Sequence, residues 1–492
     1  MTQKTIILNL LSHKGLNWDS IFQLSAFLLK SLFYLFSFFI DKTVIMARRR
    51  RRQRLPQDPV QVTIESVSHD GKGVCHVDDT TVFIDGALEG EELTFVYTNK
   101  RKNVAEGKLY EVLKPSPLRV EPQCPHFSIC GGCSLQHLAE DQQILLKQGV
   151  LLENLKRLGK AEPESVLEPL RGPHWGYRTK ARLGVRFVVK KDKMLVGFRE
   201  KHSNFLAELE TCKVLHPDVG LHLRELSDLI LSLSIYNQIP QIEVAYGDEQ
   251  GAFIVRHLEA FNDDDLQKLS AYAEKMSLHI YLQPKGPDSI TRLYPLDDEK
   301  FKPLSYTLPD YDIVNEFRAT DFTQVNMDIN REMINLALEL MAPKAEDKVL
   351  DLFCGLGNFT LPLARKVAHV TGVEGSSELV IRAKENALKN GIENTDYYAA
   401  DLFEDFSGMK WAQQKYDRIL LDPARSGAKE IVEYLPKFGA HTVVYVSCNP
   451  STLARDTEIM VHQNGYKLVK AGVMDMFPHT AHVESIALFI KK

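Results

Sequence analysis

From Val60 to about Val120, apolar and polar residues alternate in short runs, VQVTIESV, TVFIDGAL and EELTFVYTN, broken by the turn-forming stretches HDGKG, ALEGE and NKRKN. Evenly interrupted period-two runs of this length predict a small five-stranded, OB-like β-barrel. Beyond residue 348 the pattern changes. Apolar runs such as KVLDLF, AHVTGVE, YDRILLD and TVVYVS are separated by helical stretches like ELVIRAKENALKNG. Apolar strands in regular alternation with helices predict a doubly wound α/β sheet. The stretch between, from about Arg171 to Tyr311, reads as a central α/β region. No internal repeat or long low-complexity linker divides the chain, so the parts are expected to pack as one body. The expected boundaries are 1–45, 46–120, 121–310 and 311–492.

Residues 21 to 40, IFQLSAFLLKSLFYLFSFFI, are long and apolar enough to span a bilayer. Lys30 and several serines interrupt the run, and Met46 opens MARRRRRQRL, which reads as a natural start. Residues 1–45 are therefore expected to be an upstream extension outside the functional fold, with no membrane association.

At 492 residues, with 44% hydrophobic and 25% charged positions, the chain is sized for several globular domains and excludes a disordered or fibrous class. A net charge of −5 carries no global sign of nucleic-acid binding. Its distribution is uneven: Arg48 to Arg52 with Arg54 form a basic arm, and ten Lys/Arg fall between Arg171 and Lys201 against Asp192 and Glu200, runs that by themselves read as solvated faces and become candidate RNA contacts only beside RNA-type chemistry. HWGYRTKARLGVRF, residues 174 to 187, interleaves those cations with aromatics, a pattern suited to backbone contacts and stacking on RNA. In the barrel, Phe95, Tyr97, Lys100, Arg101 and Lys102 could form a second such face, or equally a core aromatic pair beside a charged turn.

Seven cysteines, an odd and low count without scaffold spacing, favour a reducing, cytoplasmic compartment and metal or catalytic thiols. CPHFSICGGC places Cys124, Cys130 and Cys133 within ten positions, and Cys212 supplies a fourth soft ligand. The spacing lacks the paired C-x2-C units of zinc ribbons, and four thiolates suit a fully ligated iron–sulfur cubane. Zinc stays the alternative, because thiolates serve both. Cys75 reads as a barrel core residue and Cys354 as part of a cofactor loop.

The C-terminal strands end in polar residues. KVLDLFCGLGNF carries a Gly-x-Gly turn into a helix, the arrangement that brings backbone close to a nucleoside cofactor. It lacks the third glycine of the dinucleotide fingerprint. Glu374 ends the next strand, where a carboxylate can accept from ribose hydroxyls of NAD or S-adenosylmethionine alike. Asp401 and Asp422 end two more. Cys448 closes TVVYVSC, a nucleophile candidate at a strand end, although a lone cysteine after an apolar strand is more often structural.

Taken together, CPHFSICGGC with Cys212, FTQVN, DLFCGLGNF, LLDPARSG, VSCNPSTLARD and FPHTAHVESI resemble the bacterial RNA uracil-5-methyltransferases, in particular their 23S ribosomal RNA branch acting at uracil 1939. The likeness runs from Met46 to Lys492. It implies a Rossmann-like S-adenosylmethionine-dependent methyltransferase domain, a barrel of the TRAM type, a 4Fe–4S cluster on Cys124, Cys130, Cys133 and Cys212, and 23S ribosomal RNA as partner; the chain is expected, apart from the resemblance, to be monomeric. It further implies Cys448 as nucleophile, Glu484 as general base and Asp422 in contact with cofactor or uracil. Gln324, Phe353, Asn358, Glu374 and Asp401 match the cofactor contacts. Arg425 is the candidate donor to a developing oxyanion. An iron–sulfur NAD enzyme would leave Cys448, Glu484 and DPARSG unexplained, and a non-catalytic RNA-binding assembly factor would not need a strand-end thiol. A transfer RNA or another ribosomal site remains an alternative target.

Overall fold

The computed structural model describes Leu55, Pro56 and residues 58–492; the extension 1–45 and the basic arm at Arg48 to Arg54 lie outside the described residues. Among the described residues no helix is long and apolar enough to cross a membrane.

The first strands close a barrel. Val60–Thr63 pairs antiparallel with Glu92–Arg101, which runs on through Val104–Lys114, Thr80–Asp85 and Lys72–Val77. The chain then bends: Ile64 N–H donates to Glu91 C=O at 2.9 Å, whereas Glu65 N–H donates to Val74 C=O at 2.9 Å. Ser66–Val67 thus pairs with Lys72–Val77, and one kinked strand serves both edges of the ring. Counted that way, the barrel has the five expected strands. Alternation turns Val82, Ile84, Leu93 and Phe95 inward to full burial, with Tyr97 and Cys75 beside them. This corrects the nucleic-acid face considered for Phe95 and Tyr97. A period-two pattern says which residues share a side, and here that side is the core. Lys100 to Lys102 form the charged turn at the barrel end, with Lys100 Nζ 5.3 Å from the Tyr97 ring centre.

A second, six-stranded sheet runs in the order Thr291–Tyr294, Leu278–Gln283, Gly251–Arg256, Gln241–Tyr246, Lys180–Val188 and Lys193–Gly197. On Lys180–Val188, Ala181, Leu183 and Val185 are buried while Arg182 and Arg186 are exposed. The basic strand is amphipathic: Arg186 is left to solvent, and Arg182, though exposed, pairs with Glu243 at 3.0 Å.

The third sheet carries the parallel strands Thr395–Ala399, His369–Glu374, Lys348–Leu352, Arg418–Leu421 and Thr442–Ser447 side by side. Glu484–Lys491 follows antiparallel, then Tyr466–Met474, with the short strand Ser165–Val166 at the edge. Helix Glu140–Arg157 packs on this sheet as well. Ile144, Leu151 and Leu155, spaced to share one helical face, enter the core formed by Leu350, Ile419, Tyr445 and Leu453. Its fixed point is ionic: Lys147 Nζ lies 2.7 Å from Asp475 Oδ1 and 2.9 Å from Phe477 C=O, both side chains being 1–2% exposed. Lys147→Ala leaves the Asp475 carboxylate buried without its counter-ion. A loss of about 3–5 kcal/mol is expected, read as a lower urea midpoint with unchanged slope, much of it recovered in Lys147→Met/Asp475→Leu.

Candidate active site

The turn after Lys348–Leu352 is built on left-handed residues. Phe353 (φ 65°), Gly355 (φ 55°) and Gly357 (φ 89°) fold the chain back so that Phe353 and Cys354 N–H both donate to Val373 C=O. A non-glycine at such a φ is uncommon and here is held by the sheet edge. Glu374 closes the next strand, its oxygens accepting from Gly355 N–H at 3.1 Å and Ser376 N–H at 3.0 Å. Two backbone donors orient the carboxylate and leave lone pairs for ribose hydroxyls. Asp401 is exposed, with Oδ1 accepting from Phe403 N–H at 2.9 Å. The Phe353 and Phe403 rings stand 6.0 Å apart. Phe353, Glu374 and Asp401 therefore gather at neighbouring strand ends.

Asn358 and Gln324 sit differently. Asn358 exchanges amide hydrogen bonds with Asn330 at 2.9 and 3.1 Å and accepts from Tyr306 O–H at 2.9 Å. Its polar atoms tie the turn to helix Met327–Met341. Gln324 lies just before that helix, in a segment joined to the second sheet by Thr179 N–H donating to Val325 C=O. Asp351 carried no signal except as a carboxylate within an apolar strand. It is wholly buried, donated to by Thr360 O–H at 2.5 Å, and burial with Asp422 and Glu374 nearby pushes it up to about 7.

The catalytic candidates meet through strand pairing. Thr442–Ser447 and Glu484–Lys491 run antiparallel with Ser447 opposite Ser485, so Cys448, one residue on, and Glu484, one residue back, come to the same end of the sheet, where Glu484 bears on the thiol electrostatically. Asp422 ends the strand on the other side of Thr442–Ser447. Asn449 caps helix Pro450–His462 by accepting from Ser451 N–H, and its Nδ2 donates to Arg425 C=O at 3.0 Å. Gly427 closes that loop with φ 79°; a Cβ there would sit 2.5 Å from Arg455 Nη2 and 2.7 Å from Asp456 Oδ2.

A cleft of about 250 Å³ opens over Cys448, lined among others by His69 from the barrel, Asn154, Arg425, Asn449 and His482. Burial pushes the Cys448 thiol up to about 11; Glu484 and Asp422 add to this and Arg425 opposes it. Burial, then Asp422, push Glu484 up to about 8 against Arg425 and Lys147, and burial alone brings Asp422 to about 7. A proton acceptor of this basicity facing a nucleophile, with a cation beside both, can support addition followed by proton removal. His69, Asn154 and Lys147 were invisible to sequence reasoning, because each arrives from a distant segment. HWGYRTK is only partly free for RNA: Trp175 packs against His479 with ring centres 3.9 Å apart, and Tyr177 O–H donates to Pro478 C=O.

Cys124, Cys130, Cys133 and Cys212 line one small pocket. Gly132 N–H donates to Cys130 Sγ at 3.4 Å, and Cys212 N–H to Gly220 C=O at 2.7 Å, where a Cβ on Gly220 would stand 2.1 Å from the Cys212 oxygen. Burial pushes Cys133 up to about 12, Cys212 to about 11 and Cys130 in the same direction. Such thiols ionise only against a cation. Among the described residues, no group of three or more His, Cys, Asp or Glu side chains is placed to hold a single metal ion. The all-sulfur donor set fits an iron–sulfur group in chemistry.

A family described as tRNA (Uracil-5-)-methyltransferase matches residues 255–492. The 23S rRNA (uracil(1939)-C(5))-methyltransferase RlmD of Methylococcus capsulatus is 52% identical over 444 residues, spanning 90% of this chain and 100% of that protein. Its namesake in Hahella chejuensis is 53% identical over 446 residues, spanning 90% and 99%. The crystal structure of a Pyrococcus abyssi tRNA (uracil-54, C5)-methyltransferase with S-adenosyl-L-homocysteine shares the fold, with a TM-score of 0.68 at 23% identity over 88% of this chain and 100% of that one. An α/β methyltransferase sheet is thus joined to a cleft that pairs a thiol with a carboxyl. The chain belongs to the RNA uracil-5-methyltransferase family.

Glu484, raised from 4.5 to about 8, binds its proton more tightly in the folded chain. Stability from the neutral carboxyl is complete below its ordinary value and is lost as pH rises through about 8. The Tm of Glu484→Gln, measured against wild type by calorimetry, is expected to gain progressively from about pH 5 to about pH 9.

Proposed function

We propose that this chain transfers the methyl group of S-adenosyl-L-methionine to carbon 5 of a uracil in 23S ribosomal RNA, the position being uracil 1939 as in the names of its relatives. The observation that carries the mechanism is the antiparallel pairing, ending at Ser447 and Ser485, that brings Cys448 and Glu484 together at the carboxyl end of the parallel strands. The Cys448 thiolate adds to uracil carbon 6, and the resulting enolate attacks the sulfonium methyl, breaking its S–CH3 bond and leaving S-adenosylhomocysteine. Glu484, as the carboxylate, takes the carbon 5 proton. The electron pair then expels the thiolate and restores the ring. Arg425, on the rim beside Cys448, supplies positive charge for the enolate oxygen. Glu484 and Asp422 near neutrality hold protons readily, and Lys147 and Arg425 keep the Glu484 carboxylate accessible.

S-adenosylmethionine would be held at the strand ends, with Glu374 available to its ribose hydroxyls, Asp401 to its adenine, Phe353 and Gln324 as further contacts, and Asp422 in contact with cofactor or uracil. Asn358 contributes by holding the turn. Reaching carbon 5 requires taking the base out of its stack at about a few kcal/mol, and exposed Arg182 and Arg186, together with the barrel turn that delivers His69 to the cleft, serve the RNA backbone. Residues 46–120 then act as the basic arm and TRAM-like barrel, 121–310 as the cysteine and RNA region, and 311–492 as the methyltransferase. Cys124, Cys130, Cys133 and Cys212 would hold a 4Fe–4S cluster. With every iron ligated by a thiolate, such a group would stabilise the fold or an RNA contact rather than offer an open coordination site.

Incubation with methyl-labelled S-adenosylmethionine and unmodified 23S RNA is expected to place label in 5-methyluridine at one site, with no label and no covalent protein–RNA species for Cys448→Ala. Transfer that survives Cys448→Ala would refute the nucleophile; no transfer by folded wild type would sink the reaction. Anaerobically purified protein is expected to carry about four iron and four sulfide per chain, lost in Cys212→Ser. Stoichiometric zinc instead would select the alternative metal.

A further inference from the structure

The nine residues Asp475–Val483 join Tyr466–Met474 to Glu484–Lys491 without regular structure. Three of them, Ala481, His482 and Val483, line the cleft beside Cys448. Strand pairing of Glu484 with Met474 sets where the base enters the sheet, but not the path of the wall over it. Within the loop, the bonds are few: Thr480 N–H and O–H donate to Phe477 C=O, and His482 N–H donates to Thr480 Oγ1. The remaining ties come from elsewhere in the chain.

Five of those ties converge on His479 and Ala481. Ser134 and Leu135 N–H both donate to His479 C=O, at 2.8 and 2.9 Å, and Ala481 N–H donates to Ser134 Oγ at 3.1 Å. Gln143 accepts from His479 N–H at 2.8 Å. His479 is buried with φ 65°, a left-handed conformation that a β-carbon-bearing residue keeps only when its surroundings dictate it. Ser134 and Leu135 directly follow Cys133. The barrel turn joins the same point, since a Cβ on Gly71 would meet Leu135 Cδ2 at 2.8 Å and the Ala481 methyl at 3.4 Å.

We infer that the Ser134–Leu135 turn clasps the wall of the catalytic cleft, so that Ser134 is a positioning residue for proton removal by Glu484 and the cysteine pocket is coupled to catalysis through backbone hydrogen bonds. The inference rests on the covalent reading proposed above. Whatever holds Cys133 holds the next two amides, and those two amides hold the His479 carbonyl. A loosened wall leaves nucleophilic addition possible, because Cys448 belongs to a different strand. Removal of the carbon 5 proton is then the step that slows, and the methylated adduct, still bonded through Cys448 sulfur to carbon 6, accumulates.

The test uses full-length, anaerobically purified protein. Ser134→Ala removes the acceptor of the Ala481 N–H and is expected to lower kcat about tenfold with KM for RNA little changed, the effect of one orphaned amide. Three further readouts accompany it: iron content equal to wild type, faster amide hydrogen exchange confined to residues 479–483, and a larger fraction of covalent protein–RNA complex on denaturing gels during turnover. Ser134→Thr, which keeps the oxygen, is expected to restore all of them. Wild-type exchange and adduct levels in Ser134→Ala would overturn the clasp, and faster exchange with unchanged kcat would overturn its coupling to catalysis. Glu484→Gln is the reference: if it traps no adduct, the covalent reading itself fails, and the inference with it.

Discussion

The antiparallel strand Glu484–Lys491, inserted beside Thr442–Ser447, is the constraint on which the site depends. Five parallel strands all deliver their carboxyl ends to one edge, and that edge is where turns such as Phe353 to Gly357 can open toward a ligand. An antiparallel neighbour brings its amino end to the same edge. Cys448 leaving one strand and Glu484 entering the next thereby come to the same end of adjacent strands, near enough for the Glu484 charge to act on the Cys448 thiol. A shift of one residue in the register would turn Glu484 to the other face of the sheet.

That proximity has an electrostatic consequence. Cys448, Glu484 and Asp422 are acids sharing a partly buried edge, with Asp351 behind them, and burial pushes every one of them toward its neutral form. Only Arg425 and Lys147 oppose this at Glu484. Keeping several acids together at such an edge is a costly arrangement of the kind that clusters at functional sites. The apolar seating of helix Glu140–Arg157 in the same core supplies stability nearby.

Local pattern was enough to read much of this. The barrel was legible because its strands alternate, down to the count of five, and the parallel sheet because apolar runs alternate with helices. Alternation could not say which side of the barrel is inside, so Phe95 and Tyr97 were open to either reading until closure placed them in the core. Asn358 illustrates a second limit. A motif marks it as belonging to the turn, but only the approach of Asn330 and Tyr306 shows that its amide is committed to the fold. Helix Glu140–Arg157 is a third case: its apolar spacing was present in the sequence, while its docking on a sheet hundreds of residues away was not.

The residue types of the chemistry, a strand-end thiol, strand-end carboxylates, a glycine-interrupted turn and four clustered or complementary cysteines, were determined by the sequence alone, since spacing along a strand or turn is local. Tertiary structure decided their partners. His69, Lys147, Ser134 and His479 take their roles from backbone atoms and side chains that the chain brings together only after the sheets are paired. Side-chain periodicity fixes a face, whereas the identity of what lies against that face depends on loop closure and burial summed over the whole chain.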